Sequence, residues 1–553
     1  MNYNSWTFWL LFIAVIIPYW RLSHKRQNHL LLGASYLFYG FWDYRFLFLV
    51  LISTYIDFIG GLGVAGVQLS RQRLTRLSLF VIASCGLLST GIRYPELWAA
   101  LQTGDGHGIA AALPKSLSDY YIFLGTTVLT LTYQATLPWL YSRPEELRRK
   151  LFVWISMVAN LAILGFFKYC DFFIDSLRGV LETVGLGHWG GSALGILLPA
   201  GISFYTFQAM SYTIDIYRRE AEPTDDFCDF ALFVCFFPHL VAGPIMRAHT
   251  LLPQVVEPRR MKPGDFEEGL YLVVMGLVKK VVIADNMAPL ADNVFFRFAN
   301  GTGGTLTAAE VLIGIYAFAF EIYGDFSGYS SVARGISKWL GFDLAINFRL
   351  PYLAVSPSDF WKRWHISLSS WLRDYLYIPL GGNKGGPWMM YRNLMITMLL
   401  GGLWHGASWT FVAWGLYHGL ILCLFRLLNI SDPKPVGSAG AKLYWLFRVA
   451  VMFQLTCIGW LLFRADSFGS VMAIAQALCG SYQLTPTAIA SLATMGFYCG
   501  LLFLLEWLLD GEQRLDRLIS ASWLWRGTAY AYLAFMLLVF HAATAYEFIY
   551  FQF

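Results

Sequence analysis

Long apolar stretches alternate with short polar stretches along nearly the whole chain. Helices of roughly 15 to 24 apolar residues can cross the ~30 Å hydrocarbon core of a bilayer. The pattern therefore predicts an all-α polytopic transmembrane protein with about 11 to 14 spans, plus re-entrant and interfacial helices. The spans are predicted near residues 6–20, 28–42, 46–67, 77–92, 119–141, 151–172, 194–217, 267–284, 311–327, 392–405, 408–428, 444–463, 489–510 and 526–545.

Two apolar or amphipathic stretches do not fit a simple span. Residues 230–246 are apolar but contain Pro238, Gly243 and Pro244, so we predict a re-entrant hairpin packed against protein or a water-filled cavity. Residues 359–378 are too polar to cross the membrane. As one helix they would have an apolar face and a basic face, which predicts an amphipathic helix at the membrane interface.

Composition supports a membrane protein and excludes a soluble globular domain. Of the 553 residues, 57% are hydrophobic and 14% are charged, whereas soluble domains carry about 25% charged residues. The eight cysteines are scattered and form no C-x-x-C pair, so we expect neither a disulfide framework nor a metal site. The first twenty residues resemble a retained span and not a cleaved signal peptide.

Basic residues are concentrated in alternate loops. Because cytoplasmic loops carry an excess of Lys and Arg, we expect these loops in the cytoplasm and the amino terminus outside. The basic residues that decide this orientation are Arg21, Lys25, Arg26, Arg71, Arg73, Arg76, Arg143, Arg148, Arg149, Lys150, Arg218 and Arg219.

His405 is the first candidate for chemistry, because it lies in an apolar segment next to three glycines, Gly401, Gly402 and Gly406. An ionisable residue within a membrane is a functional candidate by default. Burial disfavours the charged imidazolium, and a neutral ring can accept a proton as a general base must. The alternative is a histidine that is hydrogen-bonded between helices and serves packing alone.

Other polar residues in apolar surroundings are weaker candidates. His365 would lie on the apolar face of the predicted interfacial helix, where a histidine is more often a satisfied core residue. Glu321 and Asp325 are four residues apart and suit a polar cavity wall or a proton path; the alternative is an ion pair with Arg334 or Lys338.

Two further histidines belong to the same question. On one straight helix His418 would lie about 220° around from His405, so the two side chains would not converge. His239, in the predicted hairpin, is a candidate for lining the same cavity as His405. The sequence holds no metal-ligand spacing, phosphate-binding loop or serine-nucleophile motif, so we expect no catalytic metal, nucleotide hydrolysis or serine triad.

Five motifs, in order, resemble the membrane-bound O-acyltransferase family. The resemblance is strongest to its bacterial branch, which includes alginate O-acetylation proteins and the teichoic-acid D-alanylation membrane protein. The motifs are "SFYTFQAMSYTIDIYRRE" (203–220), "FFPHLVAGPIMR" (236–247), "EIYGDFSGYSSVARG" (321–335), "DFWKRWHISLSSWLRDYLYIPLGG" (359–382) and "GLWHGASWTFVAWGLYHG" (402–419).

The resemblance implies one integral membrane domain, 1–553, with helices around a central channel. It implies N-terminal helices over 1–193, a catalytic core over 194–430 and C-terminal helices over 431–553. Residues 70–150 look like an added hairpin and match no motif of the family. The resemblance further implies the bacterial cytoplasmic (inner) membrane, a polysaccharide acceptor and a separate periplasmic acetyltransferase-type partner, with no nucleic acid.

In this family pattern, His405 is the membrane-embedded catalytic histidine and His365 the second signature histidine. We therefore expect His405 to act as general base while an acyl group, which we expect to be acetyl, leaves a cytoplasmic thioester. The donor is acetyl-coenzyme A or an acyl carrier protein, and no cofactor is expected to be bound. Residues that are weaker candidates for binding substrate are Glu321, Asp325, His239, Lys362, Arg363 and Trp404.

The sequence is also consistent with two alternative functions. One is a transporter or flippase of a lipid-linked donor with the histidines as a proton relay, although no inverted repeat supports it. The other is a non-catalytic subunit of an exopolysaccharide complex. The basic residues Lys362, Arg363 and Arg373 also have two interpretations, attraction of donor phosphates or anchoring to anionic lipid.

Overall fold

A computed structural model describes residues 2–185, 194–240, 243–434 and 438–551 of the chain. Over these ranges every regular element is a helix, so the protein is an all-α polytopic membrane protein, as predicted. The α-helices of the first half are α1 Trp6–Tyr19, α2 His24–Asp43, α3 Leu47–Ala65, α4 Arg71–Ser89, α5 Tyr94–Thr103, α6 Gly106–Ala112, α7 Tyr121–Tyr141, α8 Glu145–Leu164, α9 Cys170–Thr183, α10 Ile202–Arg218, α11 Phe227–Cys235, α12 Phe237–Leu240 and α13 Ala248–Val256.

The remaining α-helices carry the chain from residue 265 to residue 539. They are α14 Asp265–Leu277, α15 Asp285–Ala299, α16 Ala308–Trp339, α17 Pro357–Trp361, α18 Ile366–Leu372, α19 Pro387–His405, α20 Trp409–Leu427, α21 Ala439–Arg464, α22 Phe468–Ala477, α23 Pro486–Leu508, α24 Leu515–Ser520 and α25 Trp523–Val539. Three π-helical segments, Gly165–Tyr169, Val278–Ala284 and Arg373–Tyr377, continue α8, α14 and α18. Short 3₁₀ turns lie at Tyr44–Phe46, Leu117–Tyr120, Gly303–Thr305, Pro351–Leu353 and Ile549–Phe551.

Within the described ranges, six helical segments are long and apolar enough to cross a membrane, or seven if the bent pair α4 and α5 counts as one span. This is fewer than the 11 to 14 spans that hydropathy predicts. One reason is that two predicted spans, 28–42 and 46–67, form a single helical segment, His24–Ala65. Another is that several apolar stretches form helices of 10–17 residues, such as α1 and α22.

Hydroxyl side chains begin several of the long helices. Thr307 accepts a hydrogen bond from the backbone N–H of Glu310, and the Glu310 carboxylate accepts one from the N–H of Thr307 at 2.9 Å, which forms a capping box at the start of α16. Ser408 accepts from the N–H of Thr410 at the start of α20. Such caps satisfy backbone donors that a helix leaves unpaired.

The chain packs into two compact units. The first contains residues 1–241 and 246–260, and the second contains residues 242–245 and 261–553. In the first unit the fully buried Asp57 of α3 accepts hydrogen bonds from Ser156 and Asn160 of α8. These bonds satisfy a carboxyl group that would otherwise be costly to bury.

In the second unit, two adjacent buried lysines of the π-helical segment 278–284 each contact a pair of carboxylates. Lys279 lies 2.7 Å from Glu506 and 3.3 Å from Glu512. Lys280 lies 2.8 Å from Asp285 and 2.7 Å from Asp325. Buried charges persist in a membrane protein when they are paired in this way.

The prediction of a single interfacial helix over residues 359–378 is wrong. The structure has two short helices, α17 and α18, which are separated by residues 362–365. The break occurs because His365 adopts a left-handed backbone conformation, with φ of 43°. A continuous helix cannot contain this conformation, so the predicted apolar and basic faces do not form.

The predicted hairpin over residues 230–246 contains two short helices, α11 and α12, with a break at Phe236. Residues 243–246 form no regular element. Residues 241 and 242 lie outside the described ranges, so the re-entrant path stays a prediction.

α19 and α20 form a tight helical hairpin in the second unit. A Cβ atom on Gly402 of α19 would overlap the carbonyl oxygen of Phe411, and one on Gly415 of α20 would overlap the carbonyl oxygen of Met398. The two backbones therefore approach more closely than any larger residue at these positions would allow.

We expect Gly415→Val to force α19 and α20 apart, because its side chain would meet backbone that cannot move independently. Overpacking of this kind typically costs about 1–3 kcal/mol. The thermal midpoint of the detergent-purified protein should fall. Gly496→Val in α23 is the matched control, since a Cβ there meets no atom within 4 Å. An equal effect of the two substitutions would contradict the close approach.

Candidate active site in the second unit

His405 is the last residue of α19. Gly406 continues in an extended conformation, with φ of −159°, and α20 begins at Trp409. The helix boundary predicted between the spans 392–405 and 408–428 is therefore confirmed. The His405 side chain is 5% exposed, so the ring lies inside the protein at the point where one helix ends and the next begins.

Aromatic side chains surround the His405 ring. The ring centroids of Trp404 and Trp414 lie 4.9 Å from the His405 centroid, both in edge-to-face arrangements. Phe463 of α21 lies at 5.3 Å and Tyr550 at 5.9 Å. These large rings hold the imidazole in one orientation and exclude water from most of its surface.

A cavity of about 340 Å³ reaches His405. Its wall combines apolar side chains, such as Trp414 and Met398, with hydroxyl groups of Ser369, Ser370 and Thr397. This volume lies within the roughly 300–1,000 Å³ that is usual for ligand pockets, which combine apolar walls with a few polar groups. A reacting group can thus reach a histidine that is otherwise buried.

Two basic side chains line the same cavity. Lys362 is exposed and Arg373 is exposed, and both come from the interrupted segment around α18. Arg373 lies 2.6 Å from Asp374, which offsets part of its charge. Arg363 does not line the cavity and instead lies 2.8 Å from Asp359.

His365 is fully buried and does not line this cavity. Its Nδ1 lies 3.3 Å from Oδ1 of Asn347, an acceptor that favours the tautomer with a proton on Nδ1. Burial lowers the pKa of His365 to about 3, so the ring is neutral at physiological pH.

Trp404 connects the surroundings of the two signature histidines. Its ring centroid lies 4.9 Å from that of His405 and 6.2 Å from that of His365. Trp404 is 4% exposed and does not line the 340 Å³ cavity. The structure therefore brings both histidines to one indole ring, with His405 on the cavity and His365 behind it.

Glu321 and Asp325 lie on α16, but neither forms the ion pair with Arg334 or Lys338 that was the alternative to a cavity or proton-path role. Asp325 contacts Lys280 and accepts a hydrogen bond of 2.6 Å from the N–H of Ile549. Nine residues correspond to about 180° around a helix, so Arg334 faces away from Asp325. Arg334 pairs with Glu512, and Lys338 pairs with Asp265, Glu268 and Asp343.

His239 belongs to the first unit, where its Nε2 lies 2.6 Å from Oε1 of Gln208. It is buried, and its predicted place on the cavity of His405 stays a prediction.

His418 is fully buried in α20, and its ring lies 4.7 Å from that of Trp414. The straight-helix estimate does not apply to His405 and His418, because the turn at 406–408 separates their helices. Both rings lie close to Trp414, His405 from α19 and His418 from α20.

Several residues at His405 were not candidates from the sequence. Trp414, Ser369 and Ser370 lie inside the motifs 359–382 and 402–419, but Thr397, Phe463 and Tyr550 lie outside every motif. No pattern in the sequence indicates that the last two would reach His405.

A second group of side chains was also not anticipated. Within the described ranges, the one group of His, Asp and Glu side chains spaced to hold a metal ion is Asp215, Glu220 and His249. It lies in the first unit, and His405 is not part of it.

Comparison with known proteins identifies a family pattern over the centre of the chain. The model of the membrane-bound O-acyltransferase family, MBOAT, matches residues 219–454. This range contains the cavity, both signature histidines and the α19–α20 hairpin.

Individual relatives cover more of the chain. A protein of Pseudomonas aeruginosa named "Probable alginate O-acetylase AlgI" is 36% identical over 495 residues, which is 89% of this chain and 78% of that protein. The peptidoglycan O-acetyltransferase of Helicobacter pylori is 36% identical over 358 residues, 60% of this chain and 65% of its own. The teichoic acid D-alanyltransferase of Streptococcus thermophilus is 29% identical over 238 residues, 40% of this chain and 56% of its own.

Asn347, whose Oδ1 lies 3.3 Å from Nδ1 of His365, is 1% exposed. The same oxygen accepts hydrogen bonds from the N–H of Ser367 at 3.2 Å and from the Ser367 hydroxyl at 2.7 Å. We expect Asn347→Ala to lower the free energy of unfolding by about 1–3 kcal/mol, because His365 and Ser367 lose their hydrogen-bond acceptor in a buried site.

Thermal unfolding in detergent measures this effect, with Asn300→Ala as control. The exposed Asn300 side chain contacts only a helix-terminal carbonyl, so its loss should stay within about 0.5 kcal/mol. A wild-type thermal midpoint for Asn347→Ala would show that the asparagine does not hold His365.

Proposed function

Because this chain belongs to the membrane-bound O-acyltransferase family, and is therefore an O-acyltransferase, we propose that it transfers acetyl groups to an extracytoplasmic polysaccharide. Two relatives that are each 36% identical to this chain carry the names of an alginate O-acetylase and a peptidoglycan O-acetyltransferase, which supports the acetyl group and the class of acceptor. The observation that carries the proposal is a buried histidine, His405, on the wall of a cavity that also has two basic side chains.

The proposed reaction uses His405 as general base. An acceptor hydroxyl gives its proton to the neutral imidazole while its oxygen attacks the thioester carbonyl carbon. The carbon–sulfur bond then breaks, and the proton passes from the imidazolium to the leaving thiolate. General-base assistance contributes typically 10²–10⁴-fold, and alignment of the two reactants in one cavity adds a further share.

His365 is proposed to support this step by orienting the donor or by stabilising developing charge. Its contact with Trp404, which in turn contacts His405, supports an orienting role. Asp325 pairs with Lys280 and His239 contacts Gln208, so these contacts add no support for the substrate-binding roles proposed for Asp325 and His239. The substrate-binding role of Glu321 stays a proposal.

The basic side chains Lys362 and Arg373 are proposed to attract phosphate groups of the donor, coenzyme A or an acyl carrier protein. Phosphate recognition by such side chains is strong because the hydrogen bonds are charge-assisted. Arg363, whose charge is offset by Asp359, is a weaker candidate.

The chain is a multi-pass membrane protein, and we place it in the bacterial cytoplasmic membrane. The cationic cavity then lies toward the cytoplasm, where the positive-inside rule puts the surrounding loop. A separate periplasmic acetyltransferase-type protein is the proposed partner.

His405→Ala should abolish acetylation, with at least a hundredfold loss of transfer from radiolabelled acetyl-coenzyme A by the purified protein. His405→Gln should lose as much transfer activity, because glutamine keeps the size and polarity of the side chain but cannot act as the base. His365→Ala should lose less transfer activity than His405→Ala.

The exposed His107→Ala serves as control and should retain full activity. Membrane insertion and purification yield are measured for each variant, so that a folding defect is recognised. Full polymer acetylation in cells that carry only the His405→Ala variant would refute the proposed base.

Charge reversal at the cavity tests the donor. The double variant Lys362→Glu and Arg373→Glu should raise KM for acetyl-coenzyme A about tenfold or more, because charge-assisted contacts to phosphate are lost. KM for S-acetyl-pantetheine, which lacks phosphates, should stay unchanged.

Lys384→Glu is the matched control, since this lysine is exposed and does not line the cavity. Equal changes in KM for both donors would contradict phosphate recognition. Weaker binding of anionic lipid by the purified variant, with no change in KM for acetyl-coenzyme A, would assign these residues to lipid anchoring instead.

A further inference from the structure

We propose that a cleft in the first unit binds one anionic phospholipid, with an acyl chain in the cleft and the phosphate at Arg71. The cleft has a volume of about 1000 Å³ and is bounded by α3, α4, α7 and the connection between α3 and α4. Two of its walls, α4 and α7, belong to residues 70–150, which match none of the family motifs. The proposal is independent of the acetyl-transfer reaction.

Apart from Gln134 of α7, whose amide donates to the Thr75 hydroxyl at 3.4 Å, the inner part of the cleft is apolar. Ile59 and Leu62 of α3 are buried and form one wall, and Leu74 of α4 and Leu131 of α7 form the others. An apolar space of this size within a membrane is filled by hydrocarbon, because an empty cleft would forfeit dispersion contacts along its whole lining. An acyl chain of the bilayer is the hydrocarbon at hand.

The other end of the cleft is polar. Gln68, Arg71, Tyr141 and Ser142 line the cleft where α3 has just ended, α4 begins and α7 ends. The Tyr141 hydroxyl donates to the carbonyl oxygen of Val67 at 2.7 Å, which joins the α3–α4 connection to the end of α7. All four polar side chains therefore lie at one level of the membrane.

That level is the lipid headgroup region. Trp139 is 53% exposed, and the guanidinium of Arg143 lies 4.2 Å from the centre of its ring. Tryptophan and arginine at the end of an apolar helix are typical of the membrane–water interface. The predicted orientation puts this end in the cytoplasmic leaflet, whose anionic lipids attract basic pockets between helices.

Arg71 supplies the charge that selects the headgroup. Its neighbour Arg73 pairs with Asp225 at 3.4 Å, but Arg71 has no carboxylate partner among the described residues. No Asp or Glu lines the cleft either, so its polar end has an uncompensated positive charge. A phosphodiester without its own ammonium group complements this charge better than a zwitterionic headgroup does.

Native mass spectrometry of the full-length, detergent-purified protein tests the proposal. The protein is incubated with equimolar phosphatidylglycerol and phosphatidylcholine of identical acyl chains. We expect one phosphatidylglycerol to be retained, with a preference of roughly fivefold over phosphatidylcholine, the effect of one basic residue at the membrane surface.

Three variants separate the two halves of the proposal. Arg71→Gln should keep a bound lipid but lose the preference for phosphatidylglycerol. Ala135→Trp, at an exposed position on α7 that lines the cleft, should lose the bound lipid altogether. Arg76→Gln, on α4 but away from the cleft, should behave as wild type.

A wild-type protein that retains no lipid, or that retains both lipids equally, would overturn the proposal. So would a full preference for phosphatidylglycerol in Arg71→Gln, or an equal loss in Arg76→Gln. Arg71 and Arg76 are both exposed, and the thermal midpoints show whether the variant proteins fold normally.

Discussion

The close packing of α19 against α20 determines where His405 lies. Gly402 and Gly415 let the two backbones meet, and the turn at 406–408 joins the two helices next to that contact. Inside a membrane, a helix end is tolerated only where protein or a water-filled cavity satisfies the freed backbone groups. The hairpin meets this requirement, and the histidine is its last helical residue.

The aromatic shell around His405 and the cavity beside it have complementary effects. Trp404, Trp414 and Phe463 remove most solvent contact from the ring, while the cavity leaves one approach open. A base that must accept a proton and then return it benefits from an orientation that does not change between the two steps. Rigid rings provide such an orientation at little entropic cost, because their side chains have few rotatable bonds.

Buried charge in the second unit has mainly a structural role. Lys279 and Lys280 each contact two carboxylates, and Asp325 is one of these partners. Lys280 joins its own π-helical segment to α15 and α16, and removal of any one partner of either lysine would leave an uncompensated charge in an apolar environment. Asp325 therefore helps to hold α16 in place and does not line the cavity of His405.

The sequence by itself determined the helical class, the family motifs and the boundary at His405, because these depend on local properties such as apolar length and helix-breaking glycines. It did not determine the break at His365, since a left-handed residue within an amphipathic pattern is imposed by neighbours such as Asn347 that are distant in the chain. It also did not determine the partners of Asp325 or the approach of Phe463 and Tyr550 to His405. Only the tertiary structure decided these contacts, because they join residues far apart in the chain, and hydrophobic periodicity specifies which face of a helix is buried but not what that face meets.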